Sequence, residues 1–301
     1  MANLLQSILP RNRHTHPSFL RELWEFGEVR STFDRSLFMV IQAYIDESYA
    51  EPRTFALGCV LARGMDWFDL AKNWNRVLDR KNRELARAGR PVLSRYHSSD
   101  CNNMNGEYKG WEPAERDRFV ADLILVVQKG KARITGNTVS LQDIANNFPV
   151  SSHQFDQNKQ GACAVLSVLL WKEIAEQARR LNRNPEIDVV YERGPFNKII
   201  AASYDALMDS DFPERHLFRR LSYDNSAVAP LQIADLVAYE TMKETDRCAT
   251  GRPRRQSLSI MLEGIPSKGT NIPASALQRV AVGYWAKKLP EMLERAAEMG
   301  S

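Results

Sequence analysis

Residues 40–48, which read VIQAYIDES, decide the fold of this chain. The stretch is apolar and carries β-branched and aromatic residues, a composition typical of a buried central strand. Glu51 and Pro52 then predict a turn, and residues 54–61 predict a second strand that pairs with the first as a hairpin. Outward from this hairpin, the chain predicts alternating helices and strands.

Apolar spacing and turn residues predict the remaining elements. Helices are predicted at 67–88, 112–128, 161–181, 195–208 and 229–245, and strands at 132–139, 187–192 and 216–223. A loop is predicted between the first two helices. The order β-β-α-α-β-α-β-α-β-α places antiparallel strands first and strand–helix alternation after them. It therefore predicts an α/β fold with a mixed sheet covered by helices.

The chain predicts one central domain with an extension at each end. Residues 1–38 are expected to form an N-terminal extension, 39–246 the central domain, and 247–301 a basic linker and C-terminal helix. The linker contains Arg252, Arg254 and Arg255, which either contact phosphates or are simply solvated. The C-terminal helix is expected at 275–299.

Composition favours a globular protein and excludes several functional classes. Of the 301 residues, 44% are hydrophobic, which is enough to bury a core, and the net charge of +4 permits a polyanionic partner without identifying one. The four cysteines are too dispersed for a CxxC zinc pair and, without a signal peptide, predict a cytoplasmic protein. Apolar runs are too short for a membrane span. No P-loop, nucleophile elbow or dinucleotide motif is found.

Three acidic residues occur in core elements, where burial makes a charge costly. Asp46 ends the first strand, Glu192 ends a later strand, and Asp235 lies in a late, mostly aliphatic helix. Each also has a simpler explanation. Asp46 can cap the turn that follows it, and Glu192 can pair with Arg193. Asp235 can belong to a buried hydrogen-bond network with Gln232, which lies one helical turn earlier.

A shared metal site is the interpretation that uses all three acids at once. Carboxylate oxygens suit Mg²⁺ or Mn²⁺, and two such ions about 4 Å apart can activate water and stabilise the leaving oxygen in phosphodiester cleavage. Asp46, Glu192 and Asp235 are therefore the candidate metal ligands and catalytic residues. Gln232 is the candidate for orienting a ligand or water. Glu47 is a further catalytic candidate, although strand alternation points it away from Asp46 unless the strand bends.

Four further polar residues are candidates for the surroundings of this site. His97, in the predicted loop, can transfer a proton to the leaving group because histidine titrates near neutrality, and Asp100 can assist it. Local hydrogen bonding is the simpler explanation for His97. Asp224, at the end of the last strand, is either a fourth acid or a turn residue. Lys198 follows Glu192 closely and is placed to meet a backbone phosphate.

Two of these stretches resemble hallmarks of the DUF3800 family. Residues 44–48, YIDES, with a hairpin strand ending near Gly58, resemble the opening of the family, and residues 232–235, QIAD, resemble its second hallmark. Weaker similarities occur at 97–100, 191–194 and 224–226. The resemblance covers roughly residues 39–245, and its two main motifs are more specific as a pair than either is alone.

The resemblance implies an RNase H-like fold with Asp46, Glu192 and Asp235 in one site. Two positions depart from the pattern: Glu192 stands where the wider fold usually has aspartate, and Tyr49 occupies a region where glycine is often seen. The expected function is a divalent-metal-dependent nuclease acting on DNA or RNA, with no membrane association. A homo-oligomer or a partner protein is left open. The alternative is a catalytically inactive binding or regulatory module associated with mobile elements or anti-phage defence.

Overall fold

The computed structural model describes residues 40–50, 52–147, 155–251, 267–271 and 291–292. Side chains are described within these ranges except at 155–157 and 267–271. The predicted N-terminal extension, the arginines at 252–255 and nearly all of the predicted helix at 275–299 lie outside the described residues.

Six strands form one sheet. They are β1 (Val40–Ala50), β2 (Thr54–Arg63), β3 (Arg133–Ser140), β4 (Glu186–Glu192), β5 (Phe218–Asp224) and β6 (Ser267–Asn271). Their order across the sheet is β5-β4-β1-β2-β3-β6. The β1–β2 and β2–β3 pairs are antiparallel, whereas β4 is parallel to β1 and β5 is parallel to β4. Strands β1, β4 and β5 therefore end at the same edge of the sheet.

Seven α-helices occur in the described residues. They are α1 (Gly64–Arg87), α2 (Ser98–Asn103), α3 (Pro113–Lys129), α4 (Leu141–Asn147), α5 (Phe155–Leu181), α6 (Asn197–Met208) and α7 (Ala229–Thr250). Within the described part of the chain, no helix combines the length and apolar character that a membrane crossing needs.

The fold is α/β, and its mixed sheet is RNase H-like, as predicted. An antiparallel hairpin precedes β3, and the later strands β4 and β5 add in parallel on the other side of β1. The predicted element order is confirmed, with three additions: α2, α4 and β6. The sequence of α2 is polar and without helical periodicity, and β6 is a short polar stretch, so neither had a pattern to identify it.

The two faces of the sheet carry separate cores, which follow the alternation of β1. Ile41, Ala43 and Ile45 face a core shared with α5 and α6. Tyr44 faces the opposite core, shared with α1, α3 and α7. These two sides are called the α5 face and the α7 face below. A residue on β1 therefore reaches α7 only from an even-numbered position.

Helix α7 lies directly on the sheet because two paired strand residues beneath it are glycines. Gly58 of β2 pairs with Gly136 of β3. A Cβ atom at Gly58 would lie 2.2 Å from the backbone nitrogen of Ala238 and 2.8 Å from the carbonyl oxygen of Ala234. Both distances are far inside van der Waals contact, so only glycine permits this close approach of helix to sheet.

We expect Gly58→Ala to destabilise the protein by on the order of 3 kcal/mol, because the new methyl group meets helix backbone that cannot rotate away. Denaturant unfolding followed by circular dichroism measures the change. Gly136→Ala is the matched control, since its Cβ would meet mainly the Thr241 side chain, at 2.3 Å from Oγ1. Adding Thr241→Ala should rescue Gly136→Ala but not Gly58→Ala; equal rescue of both would contradict the close-approach argument.

Candidate functional site

Acidic residues lie next to one another on three neighbouring parallel strands, at the ends of β4 and β5 and four residues before the end of β1. The register pairs Ile45 of β1 with Tyr191 of β4, so the residues that follow them, Asp46 and Glu192, come side by side. Glu192 in turn pairs with Asp224 of β5. The carboxyl ends of strands are where open α/β sheets commonly form their sites. Register alone thus brings the first two predicted acids together.

Asp46 and Asp235 meet on the α7 face. Asp46 pairs with Gly58, the residue on which α7 lies, so its side chain points toward that helix. Asp235 extends from α7 itself, and both aspartates are buried, with 4% and 9% exposure. Glu47 pairs with Leu57, which belongs to the core of the α5 face, so Glu47 points the other way. The alternation expected for these two neighbouring acids is therefore observed.

The carboxyl group of Asp46 is surrounded by other acids. Burial raises its pKa well above the usual range, and the negative charges of Glu47, Asp235 and Glu192 raise it further. A hydrogen bond with the Glu192 side chain also contributes, so these two carboxyl groups are in contact. The backbone N–H of Glu47 donates to Asp46 Oδ1 at 2.8 Å. Full ionisation of this group therefore needs a compensating positive charge.

Asp235 is held by the backbone at the start of α2. The N–H of Ser98 donates to its Oδ2 at 2.7 Å. Burial raises the pKa of Asp235 to about 6, while the hydrogen bond from Ser98 and the nearby charge of His97 oppose this increase. The charge of Glu192 contributes to the increase. Asp235 thus faces both the acids of the sheet edge and the segment that carries His97.

Glu47 belongs to a small polar cluster on the α5 face. Its pKa is raised to about 7, mainly by burial and also by the charge of Glu192, while a hydrogen bond from the Tyr191 hydroxyl opposes the increase. The Tyr191 hydroxyl also lies 3.9 Å from the Cys163 sulfur. The Glu47 Oε2 atom is buried and has no hydrogen-bond partner. An orphaned carboxylate oxygen beside other acids is a position that a cation would satisfy.

Gln232 anchors a loop, a role that sequence reasoning did not assign to it. Its Oε1 accepts hydrogen bonds from Trp74 Nε1 at 3.0 Å and from the Tyr96 N–H at 2.9 Å. Its Nε2 donates to the Ala227 carbonyl at 2.9 Å. Gln232 forms no hydrogen bond with Asp235, so the predicted Asp–Gln network is absent. Gln232 and Asp235 instead accept hydrogen bonds from two different backbone N–H groups, those of Tyr96 and Ser98. Both hold residues 94–98, called the 94–98 segment below.

Four backbone N–H groups of the 94–98 segment donate to side chains. Besides those of Tyr96 and Ser98, the Ser94 N–H donates to Glu107 Oε2 at 2.9 Å and the His97 N–H to the Tyr108 hydroxyl at 3.3 Å. Tyr96 is fully buried. A surface segment with so many backbone anchors is held in one conformation.

His97 and Asp100 form a half-exposed pair at the edge of the site. Nδ1 of His97 lies 2.7 Å from Oδ2 of Asp100, and the two side chains are 39% and 46% exposed. A carboxylate in this position fixes the orientation of an imidazole. The charge of His97 lowers the pKa of Asp235, so the His97–Asp100 pair lies beside the acids. The local hydrogen bond proposed as a simpler explanation is present as well.

Arg95 is the site residue that sequence reasoning missed. Its Nη1 atom lies 3.8 Å from Oε1 of Glu192, with the two side chains 34% and 25% exposed. Only the folded position of the 94–98 segment brings this arginine to β4. The one available signal was its place two residues before His97, since alternate residues of an extended segment share a side.

Two sequence candidates lie at the margin of the site. Asp224 Oδ1 accepts the Asn225 N–H at 2.8 Å, and Asn225 Oδ1 accepts the Ala227 N–H at 2.9 Å, which is the turn chemistry considered as an alternative. Lys198 is exposed in the first turn of α6. Arg193, the simpler partner suggested for Glu192, is exposed, and its backbone N–H donates to the Asp224 carbonyl at 2.7 Å.

The side chains of the site have the right chemistry to bind a divalent cation, but they are not arranged around one position. The acids supply hard oxygen ligands, and their mutual repulsion would be relieved by positive charge. Across the described residues, however, no group of three or more His, Cys, Asp or Glu side chains is arranged to hold a metal ion. Asp46 and Glu192 are in contact, whereas Asp235 is turned to Ser98. Binding an ion would therefore require side-chain rotation.

Comparison with models of known protein families finds no match, and comparison with curated protein sequences finds none either. The interpretation of this site therefore rests on its own geometry and chemistry.

Because burial raises the pKa of Asp235 to about 6, the folded protein retains a proton that the unfolded chain releases near pH 4. Stability from this group is therefore full below about pH 4 and is lost as pH rises through about 6. With a chelator present, a rise in pH from about 4 to about 8 should lower the free energy of unfolding of wild type. We expect this decrease to be about 1–3 kcal/mol smaller in Asp235→Asn.

Urea unfolding at several pH values measures this difference. Asp117→Asn is the control, because Asp117 is 63% exposed and its side chain pairs with that of the adjacent Arg116. Parallel pH curves for wild type and Asp235→Asn would contradict the raised pKa of Asp235.

Proposed function

We propose that the protein is a divalent-metal-dependent nuclease that hydrolyses phosphodiester bonds of DNA or RNA, and that it is related to the DUF3800 family. The observation that carries the proposal is the contact between Asp46 and Glu192 at the sheet edge, with Asp235 facing them from α7. Two buried acids beside a third that is partly exposed are unfavourable for stability alone. Function is the reason to keep such a cluster.

Asp46, Glu192 and Asp235 are proposed to hold Mg²⁺ or Mn²⁺. The ion would supply positive charge for the phosphate and lower the pKa of bound water. The side chains supply oxygen donors, and the pairing of β1 with β4 positions two of them. Glu47 reaches the same group of acids from the opposite face, and its unpartnered Oε2 is available to accept a proton or a ligand.

His97 is proposed to protonate the leaving oxygen. It lies outside the acid cluster, half exposed, in a segment whose backbone is anchored on both sides of it. Asp100 orients the imidazole through Nδ1, which leaves Nε2 directed away from Asp100 and available to the substrate.

Nucleic acid is the proposed partner, since a polyanion is compatible with the net charge of +4. A homo-oligomer or a partner protein and a cytoplasmic location remain parts of the proposal. The alternative is a binding or regulatory module without turnover. One observation favours it: the acids are not arranged as ligands of one ion in the described residues.

We expect wild-type protein to cleave at least one of single-stranded DNA, single-stranded RNA, duplex DNA and an RNA–DNA hybrid with Mg²⁺ or Mn²⁺, and chelation to abolish cleavage. Asp46→Asn and Asp235→Asn should each reduce the rate by at least about a hundredfold, because each removes a charged ligand. Thermal unfolding checks that both variants fold, and Asp117→Asn is the matched control. Activity that survives both site substitutions would refute the site.

Metal binding distinguishes the two candidate functions. Mn²⁺ should raise the unfolding temperature of wild type, and more at about pH 8 than at about pH 5, because the ligands must lose protons to bind. Mn²⁺ binding without cleavage of any substrate would favour the regulatory module. No Mn²⁺ binding at either pH would exclude the proposed metal site.

For His97, we expect His97→Ala to slow cleavage of an ordinary phosphodiester by about 10²–10⁴-fold, since protonation of the leaving oxygen is lost. A substrate with sulfur in place of that oxygen needs no such proton, and its cleavage should change little. Asp100→Asn should show the same pattern to a smaller extent. An equal loss on both substrates would mean that His97 has no role as the acid.

A further inference from the structure

We propose that Arg95 is the phosphate-binding residue of the site and that it exchanges partners: it pairs with Glu192 when no cation is bound, and with substrate phosphate once a divalent cation engages Glu192. This inference rests on the proposed function and adds to it a residue that binds substrate and responds to the metal.

The ion pair between Arg95 and Glu192 is loose. Its closest atoms are 3.8 Å apart, beyond hydrogen-bonding distance, and both side chains are partly exposed. Exposed ion pairs of this kind contribute little to stability, so exchange of either partner meets little resistance. The arginine nevertheless supplies positive charge beside the crowded acids, at the place where a cation is expected.

The backbone beneath Arg95 is fixed while its side chain is not. The Ser94 N–H and the Tyr96 N–H, on either side of it, donate to Glu107 and Gln232, and the Arg95 carbonyl accepts a hydrogen bond from the Tyr108 hydroxyl at 3.2 Å. The guanidinium can therefore move between two partners without movement of the segment. Such an arrangement suits a residue that must meet its ligand in a defined place.

Arg95 and His97 share one side of the 94–98 segment. Tyr96 between them is buried, whereas Arg95 and His97 are both about one-third or more exposed, at 34% and 39%. Arg95 pairs with Glu192, and the charge of His97 lowers the pKa of Asp235, so both side chains lie beside the acids. A phosphate placed at the acids by a metal would therefore lie within reach of a guanidinium, whose planar donors match phosphate oxygens.

If Arg95 exchanges partners, Arg95→Gln should change the affinities for metal and for nucleic acid in opposite directions. A purely structural role of Arg95 would not predict this. Loss of the competing charge at Glu192 should tighten Mn²⁺ binding about twofold to fivefold. Loss of one phosphate contact should weaken nucleic-acid binding about fivefold to tenfold and reduce the slope of log affinity against log salt by about 1. Arg95→Lys should keep wild-type Mn²⁺ affinity and bind nucleic acid with intermediate strength.

Two titrations measure these effects. Mn²⁺ binding is followed by electron paramagnetic resonance without substrate. Binding of labelled single-stranded DNA, single-stranded RNA and RNA–DNA hybrid is followed by fluorescence anisotropy, with Ca²⁺ in place of Mg²⁺ to suppress cleavage. Arg83→Gln is the matched control, because it removes the same charge from an exposed position of α1. Thermal unfolding of all variants verifies the fold.

Opposite changes in Arg95→Gln, absent from Arg83→Gln, would support the exchange. Wild-type protein that binds Mn²⁺ and nucleic acid while Arg95→Gln matches Arg83→Gln in both titrations would overturn the exchange and leave the nuclease proposal intact. Wild-type protein that binds no Mn²⁺ would overturn the proposed function, and the exchange with it.

Discussion

The close contact between helix α7 and the sheet is the constraint on which the site depends. It exists because Gly58 places no side chain beneath the backbone of Ala234 and Ala238. A helix held farther from the sheet by one methyl group would also hold Asp235 farther from Asp46. The acid cluster is thus a consequence of packing. The glycines Gly58 and Gly136 let α7 approach the sheet, and this approach sets the distance between Asp235 and the acids of the strands.

This packing brings buried acids close together, where desolvation and mutual repulsion oppose their ionisation. Burial raises the pKa of both Asp46 and Asp235, so ionising either group costs more free energy than it would in water. Partial compensation comes from the 94–98 segment, which brings the Ser98 N–H to Asp235 and the Arg95 guanidinium to Glu192. One segment therefore supplies both the partial compensation of the acids and the candidate substrate-binding groups, which couples the stability of the site to its chemistry.

The sequence was sufficient for what depends on local pattern. An acid in an apolar strand or helix is visible without a structure, which is why Asp46 and Asp235 were identified, and alternation placed Glu47 correctly on the opposite face. Contacts between distant segments left no such signal. Gln232 takes its hydrogen bonds from Trp74 and Tyr96, 158 and 136 residues away, and was therefore assigned to a ligand or water. Arg95 was missed for the same reason.

The division between rigid and adjustable parts of the site also bears on how a cation would act. Strand register fixes the backbone of Asp46 and Glu192. The side chains of Asp235 and Glu192 are adjustable, because Asp235 is held by Ser98 alone on the 94–98 segment and Glu192 is paired with a loose arginine. An ion that draws Asp235 and Glu192 together would compete with Ser98 and Arg95, two groups of the same segment. Metal binding would then change the contacts of the 94–98 segment, because Arg95 and Ser98 of this segment contact two of the three proposed ligands.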